Sequence, residues 1–407
     1  MNSHMESEKI PLKILMIAPT PFFADRGTHI RILEEALALE RRGHKVTIVT
    51  YHIGQDIPKE LGSDIEVRRI RRLLFWYHKL EAGPDWQKII LDIMLIRKTF
   101  FVARTTRPDI LHGHLHEGVL IGRMVQLALF WRKMRLVSDF HGSLTKEMIS
   151  HQYLFGGLLR KVFQYIEYRI NRLGDAALAS SWSNAKDISE ARGSEVKVIP
   201  DGARLFSPAD ASARKELREK YGVPLSAAVA LYTGAFVANK GLEILVQAMP
   251  LALEGHPDLV FVLAGFPANE LDVMMKKYSV NHDRIRIISP LSYFELGDIL
   301  SLGDIAIDPK QAQVGQASGK MLQYMGASLP VVCFDTENNR EYLGTGGIFA
   351  AEETPRALAD AILLSVSRRE EWSRIGSEHY HRAEMFGWGK TGKSLEKIYE
   401  TLLDKNR

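Results

Sequence analysis

Three groups of residues have the types and spacing to do chemistry. The first is Ser318-Gly319-Lys320, which opens a run of helical period through Met321, Leu322, Met325 and Ala327, ahead of Leu329-Pro330 and the apolar run Val331 to Phe334. A helix starting at Gly319 would turn its free N–H groups and positive dipole end toward an anion before Ser318, and Lys320 adds a full charge. The second is Thr233-Gly-Ala-Phe-Val-Ala-Asn-Lys240-Gly241, which follows an apolar run and opens another helix. Its glycines allow close backbone approach and Lys240 is a cation, so the two segments together suit a diphosphate. The third is a set of histidines. His112, His114 and His116 alternate ahead of Glu117, and His141 follows Ser138-Asp-Phe140. Alternating histidines at a strand end can ligate zinc, but no second cluster with metal-site spacing accompanies them, so no metal is assigned and structural or acceptor-side roles stay open. His141, just past a strand end, is open to a structural or a catalytic role.

The elements that must position these residues are strands and helices in alternation. Continuous apolar runs at 13–18, 45–50, 108–112, 135–140 and 175–180 are each followed by a loop or an amphipathic stretch, and 196–200 closes the first unit. A polar, small-residue linker at 201–213 precedes a second series at 228–233, 259–264, 284–288, 304–308 and 331–334, and the chain is helical from Pro355 onward. Buried runs alternating with helices predict parallel sheets covered on both faces, and ligands of such sheets sit beyond the carboxyl ends of the strands. The fold class is therefore α/β: two Rossmann-like, doubly wound parallel-sheet domains facing one cleft. The first spans 1–201, the second 202–385, and a C-terminal helix of about 386–407 packs back on the first. There is no Walker A motif and no Gly-x-Gly-x-x-Gly after the first strand, which argues against a nicotinamide dehydrogenase.

Composition narrows the class further. The 407 residues are 46% apolar and 25% charged, ordinary for a globular protein of two domains. The single cysteine, Cys333, lies in an apolar run, which excludes an intramolecular disulfide and fits a reducing cytoplasm. Residues 1–5 resemble a vector scar, and nothing after them has a signal-peptide layout. The runs 89–102 and 119–131 are interrupted by Asp92, Arg97, Lys98, Arg123 and Gln126, so no span of a membrane is expected. Residues 1–200 carry 30 Lys and Arg against 22 Asp and Glu, whereas 201–407 carry 23 against 27. The basic half would meet something anionic. Residues 68–79, Arg-Arg-Ile-Arg-Arg-Leu-Leu-Phe-Trp-Tyr-His-Lys, mix cations with aromatics in a way that suits peripheral contact with an anionic membrane surface, the inner face of the cell membrane for a cytoplasmic protein. No nucleic-acid motif accompanies it, and nucleic acid is not an expected partner.

The order of segments resembles the retaining glycosyltransferases of family four, which have the GT-B architecture of two Rossmann-like domains. The pieces that carry the resemblance are the 21–27 loop, Asp109-Ile-Leu-His112-Gly-His114, Asp139-Phe-His141-Gly142, 175–181, Val198-Ile-Pro-Asp-Gly202 with Phe206-Ser-Pro208, Tyr232-Thr-Gly234 with Lys240-Gly241, 262–265 and 319–332. The resemblance implies a metal-independent hexosyltransferase that moves a sugar from a nucleotide-sugar of UDP or GDP type to a glycan, lipid-linked or small-molecule acceptor, as in polysaccharide biosynthesis, with no cofactor. It implies His141 beside the donor sugar as the catalytic residue, with Gly27, Lys240, Gly319 and Lys320 at the donor diphosphate. It further implies Gly265, Pro290 and Gln323 near the nucleoside and Arg26 and His114 on the acceptor side.

The chain departs from the family pattern at three places. The paired glutamates are Gly315 and Gln323, the arginine after the glycine of the phosphate strand is Ala235, and one glycine of the first loop is Arg26. An amide accepts a hydroxyl proton less strongly than a carboxylate, and Arg26 or Lys320 is the expected source of the missing cation. Two other readings remain: a non-catalytic glycosyltransferase-like scaffold, and a nucleotide-sugar epimerase.

Overall fold

The computed structural model describes residues 10–78, 85–150, 154, 156–207, 210–280, 283–312 and 318–404. Residues 1–5, Lys79, Pro208, Gly315 and the rest of 313–317, and the 405–407 end of the expected last helix lie outside the described residues. The first series runs β1 (Lys13–Ala18), α1 (Gly27–Glu40), β2 (Lys45–Thr50), β3 (Glu66–Arg69), α2 (Trp86–Thr106), β4 (Ile110–His114), α3 (Leu115–Ala128), β5 (Arg135–Phe140), α4 (Leu144–Ser150), α5 (Gly157–Asn171), β6 (Ala176–Ala179), α6 (Trp182–Arg192) and β7 (Lys197–Val198). The second runs α7 (Ala211–Lys220), β8 (Ala228–Ala235), α8 (Leu242–Gly255), β9 (Leu259–Phe266), α9 (Ala268–Lys277), β10 (Ile285–Ile288), α10 (Leu296–Leu302), β11 (Ile305–Asp308), α11 (Gly319–Gly326), β12 (Val331–Phe334), α12 (Glu337–Leu343) and β13 (Ile348–Ala350). Three helices end the chain: α13 (Pro355–Ser367), α14 (Trp372–Ala383) and α15 (Trp388–Asp404).

The strands form two parallel sheets, of seven strands ordered β3-β2-β1-β4-β5-β6-β7 and of six ordered β10-β9-β8-β11-β12-β13. Five of the six residues of β1 and all of β11 and β12 are buried, as required of strands covered on both faces. Each sheet reverses its strand order once, between β1 and β4 and between β8 and β11, and open α/β sheets bind ligands at such switch points. The chain leaves β1, β8 and β11 into the loops that hold Arg26, Lys240 and Lys310, and His141 follows β5, the neighbour of β4.

The two units share a core. One apolar cluster joins Met16, Leu33 and Leu37 of the first sheet and its helix to Val229, Leu231 and Met325 of the second. Across it, the Tyr293 N–H donates to Asp25 Oδ1 at 2.7 Å and the Tyr293 hydroxyl to Glu34 Oε1 at 2.9 Å. α15 returns to the first unit: Leu395 and Tyr399 enter the shared cluster, and a side chain on Gly392 would stand 3.0 Å from Ala38 Cβ.

The structure departs from the sequence reading at the edges. β3 lies inside the basic stretch, where Arg68 pairs with Glu66 at 2.5 Å and Arg69 with Asp56 at 2.7 Å, so these two cations are engaged within the fold. Leu74 and Tyr77 are buried, whereas Arg71, Arg72, Leu73, Phe75 and Trp76 are exposed. The interrupted apolar run 89–102 belongs to the 21-residue helix α2, capped by Asp85, whose carboxylate accepts from Gln87 N. No helix among the described residues is long and apolar enough to cross a membrane.

Candidate active site

The two anion-type segments meet in space. Lys320 Nζ lies 3.7 Å from the point that a Cβ on Gly234 would occupy, 3.9 Å from the Tyr232 ring centroid and 3.6 Å from Asp308 Oδ1. Ser318 occupies the N-cap of α11 without making a side-chain capping bond. Gly241 has φ +76°, and a side chain there would overlap the Pro309 carbonyl, so the start of α8 presses on the segment after β11. That contact brings in Lys310, which sequence reasoning missed. Burial, then the neighbouring Lys320, lowers the Lys240 ammonium from its ordinary value. Burial, then Lys240, holds Lys310 well below its own. Three lysines thus gather near the buried Asp308, with Glu147 also felt at Lys240 and Asp201 at Lys310, and a diphosphate would add the negative charge that restores their protonation.

The second half of the site is a buried network around Asp139. Arg31 Nε and Nη2 donate to Asp139 Oδ2 and Oδ1, each at 3.1 Å, and Arg31 Nη2 lies 2.9 Å from Glu35. His141 Nε2 donates to Asp139 Oδ2 at 3.2 Å, and His114 Nδ1 stands 3.2 Å from both that oxygen and His141 Nε2. His112 stacks on His114, and its Nδ1 bonds the Tyr399 hydroxyl of α15 at 2.6 Å. Burial pushes Asp139 upward, but Arg31 and then His141 outweigh it and hold the carboxyl well below its ordinary value. Burial raises Glu35 well above its own because Arg31, shared among several carboxylates, does not compensate. His114 is lowered to about 3 by burial, then by His112, and so stays neutral. Glu35, His112, His114 and Asp139 bring their ligand atoms within 4.8 Å of one another, and the cation these carboxylates hold is the Arg31 guanidinium.

Arg31 also ties the two halves together. Its Nη1 donates to Asp201 Oδ1 at 3.1 Å, and a side chain on Gly319 would stand 2.6 Å from Asp201 Oδ2. A continuous path therefore runs from His141 through Asp139, Arg31 and Asp201 to the start of α11 and Lys320.

The remaining residues singled out from sequence are distributed as follows. Gly27 is exposed at the start of α1, and a Cβ placed on it would meet nothing within 4 Å, which leaves room for a ligand in front of it. Arg26, expected on the acceptor side, reaches over the Phe266 ring at 5.3 Å and is close enough to Lys240 to disfavour its charge, which puts it beside the lysine cluster. His114, also expected there, is wholly buried behind His141 and offers no surface to an acceptor. Gly265 and Pro290 sit at the carboxyl ends of β9 and β10, but a side chain on Gly265 would overlap the Gly234 carbonyl, so strand packing alone accounts for that glycine. Gln323 is buried; its Nε2 donates to Gly202 O at 3.3 Å and its Oε1 accepts from Arg204 N at 3.4 Å, so its amide is committed to the linker.

Comparison with known proteins identifies the family. Residues 26–205 match the family model described as Glycosyltransferase Family 4, and residues 227–367 match that described as Glycosyl transferases group 1. The chain is 23% identical to a D-inositol 3-phosphate glycosyltransferase of Kineococcus radiotolerans over 92% of its length and 90% of the relative's. It is 24% identical to a phosphatidyl-myo-inositol mannosyltransferase of Mycobacterium tuberculosis over 96% and 97%. Its fold is similar to that of a sucrose-phosphate synthase from Thermosynechococcus elongatus, with a TM-score of 0.78, 15% identity, and coverage of 97% of this chain and 100% of the other.

Proposed function

The chain belongs to the family 4 glycosyltransferases of GT-B architecture, and from that premise we propose that it transfers a hexosyl group, with retention and without a metal ion, from a UDP- or GDP-type nucleotide-sugar to a glycan, lipid-linked or small-molecule acceptor. The observation that carries this reading is the path His141–Asp139–Arg31–Asp201, which runs from an oriented histidine to Gly319 at the start of α11, the helix that carries Lys320 of the lysine cluster. Departure of a nucleoside diphosphate develops negative charge on the leaving oxygen, and fixed cations aimed there are the main assistance such a reaction needs. Lys240, Lys310 and Lys320 supply that charge where the family arginine is Ala235.

In the proposed step the bond from the anomeric carbon to the diphosphate oxygen breaks with its electron pair going to the diphosphate. The acceptor hydroxyl forms its bond on the same face and gives its proton to the departing phosphate oxygen. Asp139 holds His141 through Nε2, and the other ring nitrogen, Nδ1, is buried without a hydrogen-bond partner among the described residues, an acceptor that a sugar hydroxyl would satisfy once the ring shifts. Peripheral contact with an anionic membrane belongs to the same reading, since one of the relatives is named for a phosphatidyl-linked acceptor.

Calorimetric titration with UDP, GDP, ADP and their sugar conjugates tests it. One nucleotide should bind saturably and bind more weakly to Lys240→Ala, and product anomers read by NMR should keep the donor's configuration with EDTA present. The non-catalytic scaffold is favoured by one observation, the commitment of the Gln323 amide to the linker. No nucleotide binding by the folded protein would select it.

A further inference from the structure

Among the described residues, 27 large hydrophobic side chains are exposed, and 19 of them fall within 71–78, 86–107, 115–133 and 157–172. Scattered exposed hydrophobics are normal, but a concentration of this kind marks a surface that meets something apolar. The segments are neighbours: α2 packs on α3 and α3 on α5, while Leu74 and Tyr77 of the first segment share a core with Leu91 and Leu95 of α2. On α2 the outward stripe is Trp86, Ile90, Ile93, Arg97, Phe101 and Arg104, spaced by three or four residues. On α3 it is Leu120, Met124 and Leu127. α5 buries only Glu167, Ile170 and Asn171 and exposes Leu158, Leu159, Val162 and Ile166 beside Arg160 and Lys161.

Charge identifies the occupant. These four segments hold fourteen Lys and Arg against three carboxylates, Asp92, Glu117 and Glu167, and none of the three is exposed. Asp92 accepts from the Tyr51 hydroxyl at 2.6 Å, and Glu167 accepts from the N–H groups of Leu144 and Thr145 at 2.9 and 3.1 Å. A second copy of the chain on this face would set cations against cations, because a two-fold contact meets itself. Exposed Trp and Phe among arginines and lysines, with no exposed carboxylate, instead match the boundary between headgroups and acyl chains of an anionic bilayer.

We propose that the face formed by α2, α3, α5 and the 71–78 loop docks on an anionic lipid bilayer. This rests on the membrane contact named in the reading above and locates it on three helices rather than on the 68–79 segment alone. Because Glu167, on the buried face of α5, anchors the backbone just after His141-Gly142, docking would hold the His141 loop about one helix diameter, ~10 Å, from the lipid. The acceptor is then one presented from that surface.

The test is co-sedimentation of the full chain with vesicles of phosphatidylcholine alone or with about 30% phosphatidylglycerol, at about 50 mM and about 500 mM NaCl. Binding should be about tenfold stronger to the anionic vesicles and fall by about tenfold at high salt, as screening of the cations requires. The pair Arg160→Glu, Lys161→Glu should weaken binding about fivefold, and the pair Ile93→Asp, Leu127→Asp should abolish it. All these positions are exposed, so each variant should keep its circular dichroism and its nucleotide affinity. Absence of vesicle binding by a protein that binds nucleotide overturns the docking face and leaves the transferase reading standing. Vesicle binding without nucleotide binding does the reverse. Equal binding to neutral vesicles, or a dimer in sedimentation velocity that Ile93→Asp dissolves, also overturns it.

Discussion

Lys320 Nζ stands 3.6 Å from Asp308, a carboxylate with no accessible surface and no hydrogen-bond donor among the described residues on either oxygen. Lys240 and Lys310 both feel the Asp308 charge, which with Glu147 at Lys240 and Asp201 at Lys310 steadies a cluster whose cations otherwise repel. That geometry separates Lys310 from Lys320 by their effects on stability.

Lys310→Met should weaken nucleotide binding about tenfold, roughly 1.4 kcal/mol. Its Tm should fall by less than that of Lys320→Met, because methionine removes the burial cost of an amine held well below its ordinary value along with the contacts that amine makes. Lys320→Met should weaken binding by a similar factor but lower stability by about 3 kcal/mol, since it strands Asp308 without its ion pair. Calorimetry and thermal melts of the two variants check the contrast; equal Tm changes would contradict it.

Nucleotide binding should be accompanied by proton uptake. Lys240 and Lys310 lie below the ordinary 10.5 in the free protein, and a bound diphosphate restores them toward it. Titrations at pH 8 or so in buffers of different ionisation enthalpy should give a positive slope, and Lys310→Met should flatten it. In the free protein the same shift makes stability fall as pH drops from 10.5 through the depressed values, and saturating nucleotide should remove that fall.

The strands at 13–18, 45–50, 135–140 and 331–334 were legible because a parallel strand buried on both faces is a continuous apolar run. β3, Glu-Val-Arg-Arg at a sheet edge, carries no such signal and reads as a basic surface segment. The outward stripe of α2 is hidden for a different reason. Periodicity assigns apolar residues inward, and it cannot tell a face that meets a core from one that meets a bilayer. Lys240 and His141 stand out because each follows a strand end. Arg31 does not, since its partner Asp139 is 108 residues away and nothing local marks a buried guanidinium inside an amphipathic helix. Lys310 is placed by the contact of Pro309 with Gly241, a tertiary fact.

Glu35→Gln should stabilise the protein at neutral pH. The folded Glu35 carboxyl is raised well above its ordinary 4.5, chiefly by burial, so its contribution is complete below 4.5 and is lost as pH rises through the folded value. Glutamine keeps the neutral shape without that loss. The stability difference between variant and parent should therefore grow with rising pH, by about 1 kcal/mol or more across the transition, in urea melts from pH 5 to 8 or so. A pH-independent difference would mean that Glu35 stays ionised beside Arg31.

Asp139→Asn should behave with the opposite sign. Arg31 outweighs burial and holds the folded Asp139 carboxyl well below its ordinary 3.8, so its stabilisation is present above 3.8 and is lost as pH falls through the folded value. At neutral pH the substitution breaks a two-point ion pair and leaves Arg31 with Asp201 and Glu35, at a cost of about 3–5 kcal/mol. It also exchanges the acceptor of His141 Nε2 for an amide that can present its NH₂. If His141 acts from the position Asp139 gives it, the variant's kcat should fall by about tenfold or more with KM for the donor nearly unchanged, because the lysine cluster is untouched. Melts across the acid range, with kinetics in the folded range, separate the two effects. A kcat that survives in the folded variant would show that His141 does not depend on Asp139.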